Sequence, residues 1–191
     1  GACNSIGDIF LVIPEKDVSF CSNRILPRCR FSGRVRLVPG GTERQNSVYN
    51  GISAVKTDEE MIVIHDGVRP LISVDTIEKC LEASKETGAA IVGIPASDTL
   101  KRADQNGLVA ATLNRESIWL AQTPQCFRLD LLKKAHESAF KENYIGTDDA
   151  SLIERIGIRV RIVPGSPYNI KITTYDDLVL ARAIIRNNVS S

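Results

Sequence analysis

Short apolar runs alternate with amphipathic stretches along most of the chain. Ile9 to Ile13, Val35 to Val38, Met61 to Ile64, Ala89 to Ile94, Ile118 to Ala121 and Val160 to Val163 are mostly β-branched or aliphatic. Runs this short and this apolar predict strands buried on both faces. Between them, Val74, Ile77 and Leu81 in one stretch, and Leu131, Leu132, Ala135 and Ala139 in another, recur at helical spacing. Strands alternating with helices, with Pro or Gly at most strand ends, predict a three-layer α/β domain with a mainly parallel sheet. Ligands in such sheets collect where the strands end, so the polar residues just after each apolar run are the ones to inspect.

One segment breaks the alternation. Thr99 to Ala103 and Leu108 to Leu113 flank Asp104-Gln105-Asn106-Gly107, which predicts a hairpin turned at Asn-Gly. Both flanks mix apolar and charged residues, so residues 98–116 are expected to project as a β-arm whose apolar face needs a partner. A homodimer through that arm is the expectation.

Composition narrows the function classes. With 191 residues, 43% of them hydrophobic, the chain can bury a core of its own, and one domain over residues 1–191 is expected. Its 24 basic and 23 acidic residues leave no net field to gather polyanions, which argues against a nucleic-acid partner. The five cysteines are scattered and form no Cys-x-x-Cys pair, as in a reduced, cytoplasmic protein. Cys80 on an apolar helical face and Cys126 after a Pro-Gln turn read as packing residues. No apolar run approaches the length that spans a bilayer, and no signal peptide is visible, so a soluble protein without a membrane partner is expected. The abrupt start at Gly1-Ala2-Cys3-Asn4-Ser5 leads to the expectation of about 30 to 45 further residues upstream, one strand, loop and helix unit.

Three constellations carry chemistry. Pro39-Gly40-Gly41-Thr42-Glu43-Arg44-Gln45-Asn46-Ser47 follows a strand and opens a helix. Thr42 and Gln45 fit a capping box, and the glycines let backbone N–H groups approach a ligand closely, with Ser47 facing it. A tight strand-to-helix connection explains the same glycines. In Ile64-His65-Asp66-Gly67-Val68-Arg69-Pro70, Asp66 can hold a magnesium ion or a ribose hydroxyl, and Arg69 can clamp a phosphate. The plain alternative is a local Asp-Arg pair. In Asn169-Ile170-Lys171-Ile172-Thr173-Thr174, a short strand is expected to aim Lys171 into a cleft, where an ammonium can offset charge on a transferring phosphoryl group. Thr174 and Asp177 fit a second capping box. His65 points the other way along its strand and reads as structural. His136, beside Lys133 and Lys134, reads as solvated surface.

In order along the chain, Gly40-Gly41-Thr42-Glu43-Arg44 with Ser47, His65-Asp66-Gly67-Val68-Arg69-Pro70, Asp98-Thr99-Leu100-Lys101, Asn114-Arg115, Gln122-Thr123-Pro124-Gln125, Thr147-Asp148-Asp149-Ala150 and Asn169-Ile170-Lys171-Ile172-Thr173 resemble the methylerythritol phosphate cytidylyltransferase family. The resemblance implies a Rossmann-like nucleotidyltransferase domain with a projecting β-arm that interlocks two subunits. It implies transfer of CMP from CTP to a sugar-alcohol phosphate, 2-C-methyl-D-erythritol 4-phosphate, with magnesium as cofactor and pyrophosphate as the second product. On the same ground, Gly41, Thr42, Ser47, Asp66, Gly67 and Lys171 are expected to line the CTP pocket. Arg69, Thr99, Arg115 and Thr123 are expected to hold the acceptor, with Thr99 and Arg115 reaching across the dimer. Lys171, Asp66 and Arg115 are the expected catalytic residues, and Asp66 the expected metal ligand.

The pattern departs from the family at three points. The glycine-rich loop with an arginine and then a lysine is not seen in this sequence, so the domain is expected to lack its first strand and loop here. Thr42 stands where aspartate is frequent, and Tyr168 where an acidic residue often precedes Asn-Ile-Lys. Tyrosine there resembles ribitol 5-phosphate cytidylyltransferases, the first alternative; an inactive relative serving as a dimeric binding subunit is the second. The expected setting is the bacterial cytoplasm, with a plastid as the alternative.

Overall fold

The computed structural model describes residues 3–29, 32–55 and 60–189. Strand β1 (Ile9–Ile13) leads through a run of tight helical turns around α1 (Val18–Phe20) to β2 (Val35–Pro39). The two strands pair in parallel, Ile9 opposite Val35 through Ile13 opposite Pro39. Then follow α2 (Arg44–Ala54), β3 (Met61–Ile64), α3 (Val74–Thr87), β4 (Ala89–Pro95), β5 (Lys101–Ala103), β6 (Val109–Thr112) and β7 (Trp119–Arg128). The chain continues through α4 (Leu129–Lys141), α5 (Asp149–Arg155), β8 (Arg161–Pro164) and α6 (Tyr175–Val189).

The larger sheet has four strands in the order β3-β7-β4-β8. β4 and β8 are parallel, and both ladders made by β7 are antiparallel. Strands β3, β4 and β8 therefore run one way and β7 alone runs against them. The expected direction holds for three of the four strands, but because β7 is central, most of the ladder is antiparallel. Among the described residues no ladder joins the β1–β2 pair to this sheet.

Alternation along β4 covers both faces. Ala89 and Ile91 pack with Ile52, Phe127, Leu132, Leu152 and Ile153 under α2, α4 and α5. Ala90 and Val92 pack with Cys80, Leu81, Cys126 and Val163 under α3. That is the three-layer arrangement the apolar runs predict, and Cys80 and Cys126 are packing residues with no exposed surface. Helix α3 is set by its ends: Ser73 accepts from the Thr76 N–H at 3.1 Å, and Gly88 closes it at φ 82°, a left-handed turn that glycine adopts freely. Among the described residues no helix is long and apolar enough to cross a membrane.

Three local expectations are corrected. Pro124-Gln125 is not a turn; both lie inside β7, which runs well beyond Ala121. The register between β4 and β7 shifts between Ile91 and Gly93, so the proline falls where the ladder is already interrupted and its missing N–H costs no strand bond. No strand precedes α6; residues 165–174 form an irregular loop. His136 is not solvated but fully buried, because it lies on the same face of α4 as Leu132, Ala135 and Ala139.

The hairpin forms as expected, with Lys101 opposite Thr112, but Asn106-Gly107 does not turn it alone. The Asp104 carboxylate accepts from the Asn106 and Leu108 N–H groups, both at 2.9 Å, while Gly107 sits at φ 79°. Among the described residues β5 and β6 pair only with each other, and Leu108, Val109 and Leu113 are exposed.

Candidate active site

The first constellation is built on its own helix. The Gly40 N–H donates to Ile13 O at 2.8 Å, which fixes the turn to the end of β1. The Gly41 N–H donates to the Ser47 hydroxyl at 3.0 Å, and that hydroxyl donates to Glu43 O at 3.1 Å. A Cβ on Gly41 would lie 2.4 Å from the Asn46 Cβ, so this glycine is required by packing whether or not a ligand comes near. The N-cap is Glu43, whose N–H donates to Asn46 Oδ1 at 3.2 Å; the cap is thus one residue later than the Thr42–Gln45 pair expected. Gly41→Ala is expected to displace the first turn of α2 and cost about 1–3 kcal/mol. Urea unfolding checks this, and an unchanged midpoint contradicts it.

The second constellation sits where β3 ends. The Asp66 N–H donates to the Thr123 hydroxyl at 3.0 Å, which in turn bonds His65 Nδ1 at 3.0 Å. A carbonyl only accepts, so His65 donates from Nε2 to Arg69 O, also at 3.0 Å. His65 thereby ties both ends of the loop to β7, the structural part its sequence position predicts. Thr123 is buried with its hydroxyl committed to this network, so in this form it positions Asp66 and presents no free hydroxyl to an acceptor. A Cβ on Gly67 would meet open space, leaving room for a ligand beside Asp66.

Burial pulls the His65 imidazole below its ordinary value, with Arg69 adding to the effect and the Arg69 carbonyl and Asp66 opposing it. The unfolded chain takes up this proton near pH ~6.5, whereas the folded chain does so lower. The contribution of neutral His65 is therefore complete above pH ~6.5 and is lost as pH falls through the folded value. Between about pH 7.5 and about pH 5.5 the protein is expected to lose more stability than its His65→Gln variant. Equal losses in urea titrations contradict this.

The third constellation arrives on the loop before α6. The Ile172 N–H donates to Val68 O at 2.8 Å, and Asn169 Nδ2 donates to Gln122 Oε1 at 3.1 Å and Thr123 O at 2.8 Å. These bonds place Lys171 Nζ 3.2 Å from Asp66 Oδ2 without a strand. Thr174 and Asp177 cap α6 as the sequence predicts, and the Thr173 and Thr174 N–H groups hold the Asp177 carboxyl down to about 2.

All three constellations therefore meet at one carboxylate. Lys171 Nζ and Arg69 Nε lie 3.2 and 3.6 Å from Asp66 Oδ2, and Arg44 Nε lies 3.7 Å from Oδ1. Arg69 Nη1 donates to Asn169 O at 2.6 Å, while its buried Nε has no hydrogen-bond partner. Asn169 Oδ1 is likewise buried without one. Three cations around a single anion, with an unused buried donor among them, make a site suited to phosphate. Thr99 and Arg115 stand apart at the base of the hairpin, both exposed, with Arg115 Nη1 donating to Ser97 O. No described hydrogen bond or ion pair links either to the Asp66 cluster.

Sequence reasoning assigned no part to Arg44, Asn169, Gln122 or Asp149. All four stood in quoted motifs, but the bonds that give them a part reach far along the chain, as from Arg44 to Asp149 and from Asn169 to Gln122.

Residues 2–187 match the family model described as IspD: 2-C-methyl-D-erythritol 4-phosphate cytidylyltransferase. The chain belongs to this cytidylyltransferase family. Relatives bearing that name include the protein of Syntrophus aciditrophicus, 45% identical over 181 residues, covering 95% of this chain and 77% of that protein. The Bacillus licheniformis protein of the same name is 49% identical over 177 residues, with 93% and 75% covered. Among solved structures, the 4-diphosphocytidyl-2C-methyl-D-erythritol synthase of Anaerococcus prevotii superposes with a TM-score of 0.87 at 33% identity, covering 96% of this chain and 81% of that one. The Francisella tularensis cytidylyltransferase gives 0.81 at 35% identity, with 94% and 81% covered. The Rossmann-like nucleotidyltransferase fold of this cytidylyltransferase family member is thus shown by structure as well as by sequence.

Proposed function

We propose that the protein transfers CMP from CTP to 2-C-methyl-D-erythritol 4-phosphate, giving 4-diphosphocytidyl-2-C-methyl-D-erythritol and pyrophosphate for isoprenoid precursor synthesis. The observation that carries this reading is the convergence of Lys171, Arg69 and Arg44 on Asp66 in a member of this family. Joining two phosphorylated molecules is opposed by their mutual repulsion, and a cationic cleft at the strand ends offsets it.

In the reaction an oxygen of the acceptor phosphate attacks the α-phosphorus of CTP. The bond from that phosphorus to the bridging oxygen breaks, and pyrophosphate leaves with the electron pair. A phosphate with a second pKa near ~6 is largely dianionic at neutral pH, so no general base is required. Lys171 stabilises the charge that grows on the transferring group, and Arg69 orients the attacking phosphate. Gly41, Thr42, Ser47 and Gly67 line the nucleotide side of the cleft.

Asp66 fits a magnesium ion carried in by the nucleotide. It supplies one carboxylate at the site, Oδ1 has no hydrogen bond among the described residues and lies 3.7 Å from Arg44 Nε, and such ions are held by one or two carboxylates plus substrate phosphates. When bound, the ion screens the phosphates and stabilises the leaving pyrophosphate.

Thr99 and Arg115 complete the acceptor site of a partner subunit, in a homodimer formed through the arm. What supports this is the exposed apolar face of Leu108, Val109 and Leu113 and the lack of any described hydrogen bond or ion pair between these two residues and their own Asp66 network. Arg115→Ala is expected to raise the acceptor KM about tenfold or more while the CTP KM changes little; equal effects on both contradict the cross-subunit role. The bacterial relatives and the free, mostly buried cysteines support a cytoplasmic setting.

The function itself is tested with purified full-length protein, CTP and magnesium, by following pyrophosphate release with each acceptor. Faster turnover of 2-C-methyl-D-erythritol 4-phosphate than of ribitol 5-phosphate is expected. The reverse order reassigns the acceptor, and no release with either removes the enzymatic reading.

A further inference from the structure

Behind Asp66 lies a buried ionic chain that the reaction as described does not use. Arg44 Nη1 donates to Asp149 Oδ2 at 2.7 Å, and His136 Nε2 donates to Asp149 Oδ1 at 3.2 Å. Asp149 is 1% exposed and His136 has no exposed surface. The imidazole is packed near Tyr49 and Phe140, with ring centroids 6.0 and 6.5 Å away. We propose that Asp149 and His136 are positioning residues that hold Arg44 as a third phosphate-facing cation of the active site, directed at the CTP side.

The geometry separates anchor from target. Arg44 makes a short, direct bond to Asp149, but its Nε stands 3.7 Å from Asp66, beyond hydrogen-bond range. Asp149 therefore fixes the guanidinium, and the edge turned to Asp66 keeps donor capacity for an incoming oxyanion. A carboxylate this buried is tolerated only when paired. Burial pushes the Asp149 carboxyl up, but the His136 hydrogen bond and the charge and hydrogen bond of Arg44 outweigh it and hold the group below the ordinary carboxylate range.

His136 sets which oxygen is free for Arg44. Its Nδ1 has no hydrogen-bond partner, so the neutral tautomer with hydrogen on Nε2 is the one that leaves no buried donor unmet. The other end of the anchor is tied to the sheet: Gln125 Nε2 donates to Asp148 Oδ2 at 2.7 Å, and the Ala150 N–H donates to Gln125 Oε1 at 3.3 Å. Gln125 lies two positions along β7 from Thr123, which holds the Asp66 N–H. One strand thus sets the positions of both carboxylates that flank Arg44.

This inference rests on the cytidylyltransferase reading, and the test keeps the two apart. Full-length wild type, Arg44→Ala, Asp149→Asn and the double variant are compared by steady-state kinetics and by calorimetric titration with CTP. Turnover by the wild type reports on the function; the pattern among variants reports on the positioning. Arg44→Ala is expected to weaken CTP about tenfold to a hundredfold, the worth of a charge-assisted hydrogen bond, with the acceptor KM nearly unchanged. Asp149→Asn should shift the same constant in the same direction, and the double variant should be no worse than Arg44→Ala alone.

His136→Phe, which fills the space without a donor, should reproduce part of the Asp149→Asn loss, and His136→Gln, which restores an N–H, should recover most of it. Additive effects of Arg44→Ala and Asp149→Asn, or a folded Asp149→Asn protein with wild-type CTP affinity, overturn the proposal. Should Asp149→Asn not fold, the same comparison is made with the His136 pair: equal CTP affinity of His136→Phe and His136→Gln then overturns it.

Discussion

Replacing Lys171 with alanine is expected to lower kcat about a hundredfold to a thousandfold, the usual consequence of removing one group aimed at transition-state charge. The acceptor KM should stay within a few-fold of the wild-type value, because Arg69 with its unpartnered Nε remains in place. Thermal stability should barely move. The Lys171 side chain is 47% exposed and its pairing with Asp66 at 3.2 Å is screened by solvent, and such pairs contribute little to folding. A fall in kcat with an unchanged melting temperature is therefore the expected signature in pyrophosphate-release kinetics and calorimetry. A variant that melts many degrees lower and turns over normally would make Lys171 a structural residue.

Asp66→Asn removes the one anion that three cations face. The amide keeps the size of the side chain, so packing is preserved while the local charge becomes more positive by one unit. Arg69 and Lys171 would then lose their described carboxylate partner and Arg44 would keep only Asp149, so the three cations repel one another with less compensation. Activity is expected to fall about a hundredfold or more, since the magnesium carboxylate is lost as well. Stability in phosphate-free buffer is expected to fall by about 1–3 kcal/mol, and inorganic pyrophosphate should restore more of it in the variant than in the wild type. Urea titrations with and without pyrophosphate measure both effects. An Asp66→Asn protein that is as stable as the wild type and indifferent to pyrophosphate would show that the cations do not depend on this carboxylate.

The parts of this molecule that obey one local rule were legible in the sequence. The apolar runs placed β1 and β3 at their observed residues, although both strands are half-buried rather than fully covered. Thr174 and Asp177 announced the start of α6, since capping depends only on neighbours. Asp66 and Arg69 stood out in the sequence because they follow directly on a strand, where α/β sheets collect ligands; Lys171 was singled out through a strand that does not form.

What the sequence hid depends on tertiary placement. Pro124-Gln125 looked like a turn, yet the interrupted β4 ladder lets Pro124 continue β7. His136 looked solvated beside Lys133 and Lys134, yet it shares the face of Leu132 and Ala139 and packs near Tyr49, Phe140 and Asp149. Arg44 is joined to Asp149 across 105 positions of chain, a distance over which no local pattern reports.

A crystal structure of the full-length protein with CTP, magnesium and an unreactive acceptor analogue examines the shared cleft directly. Both ligands should be bound around Asp66, with the α-phosphate within hydrogen-bond reach of Lys171 and the acceptor phosphate on Arg69. If instead CTP lies elsewhere, with Lys171 still paired to Asp66 as in the free protein, the cleft is not where the two phosphates meet.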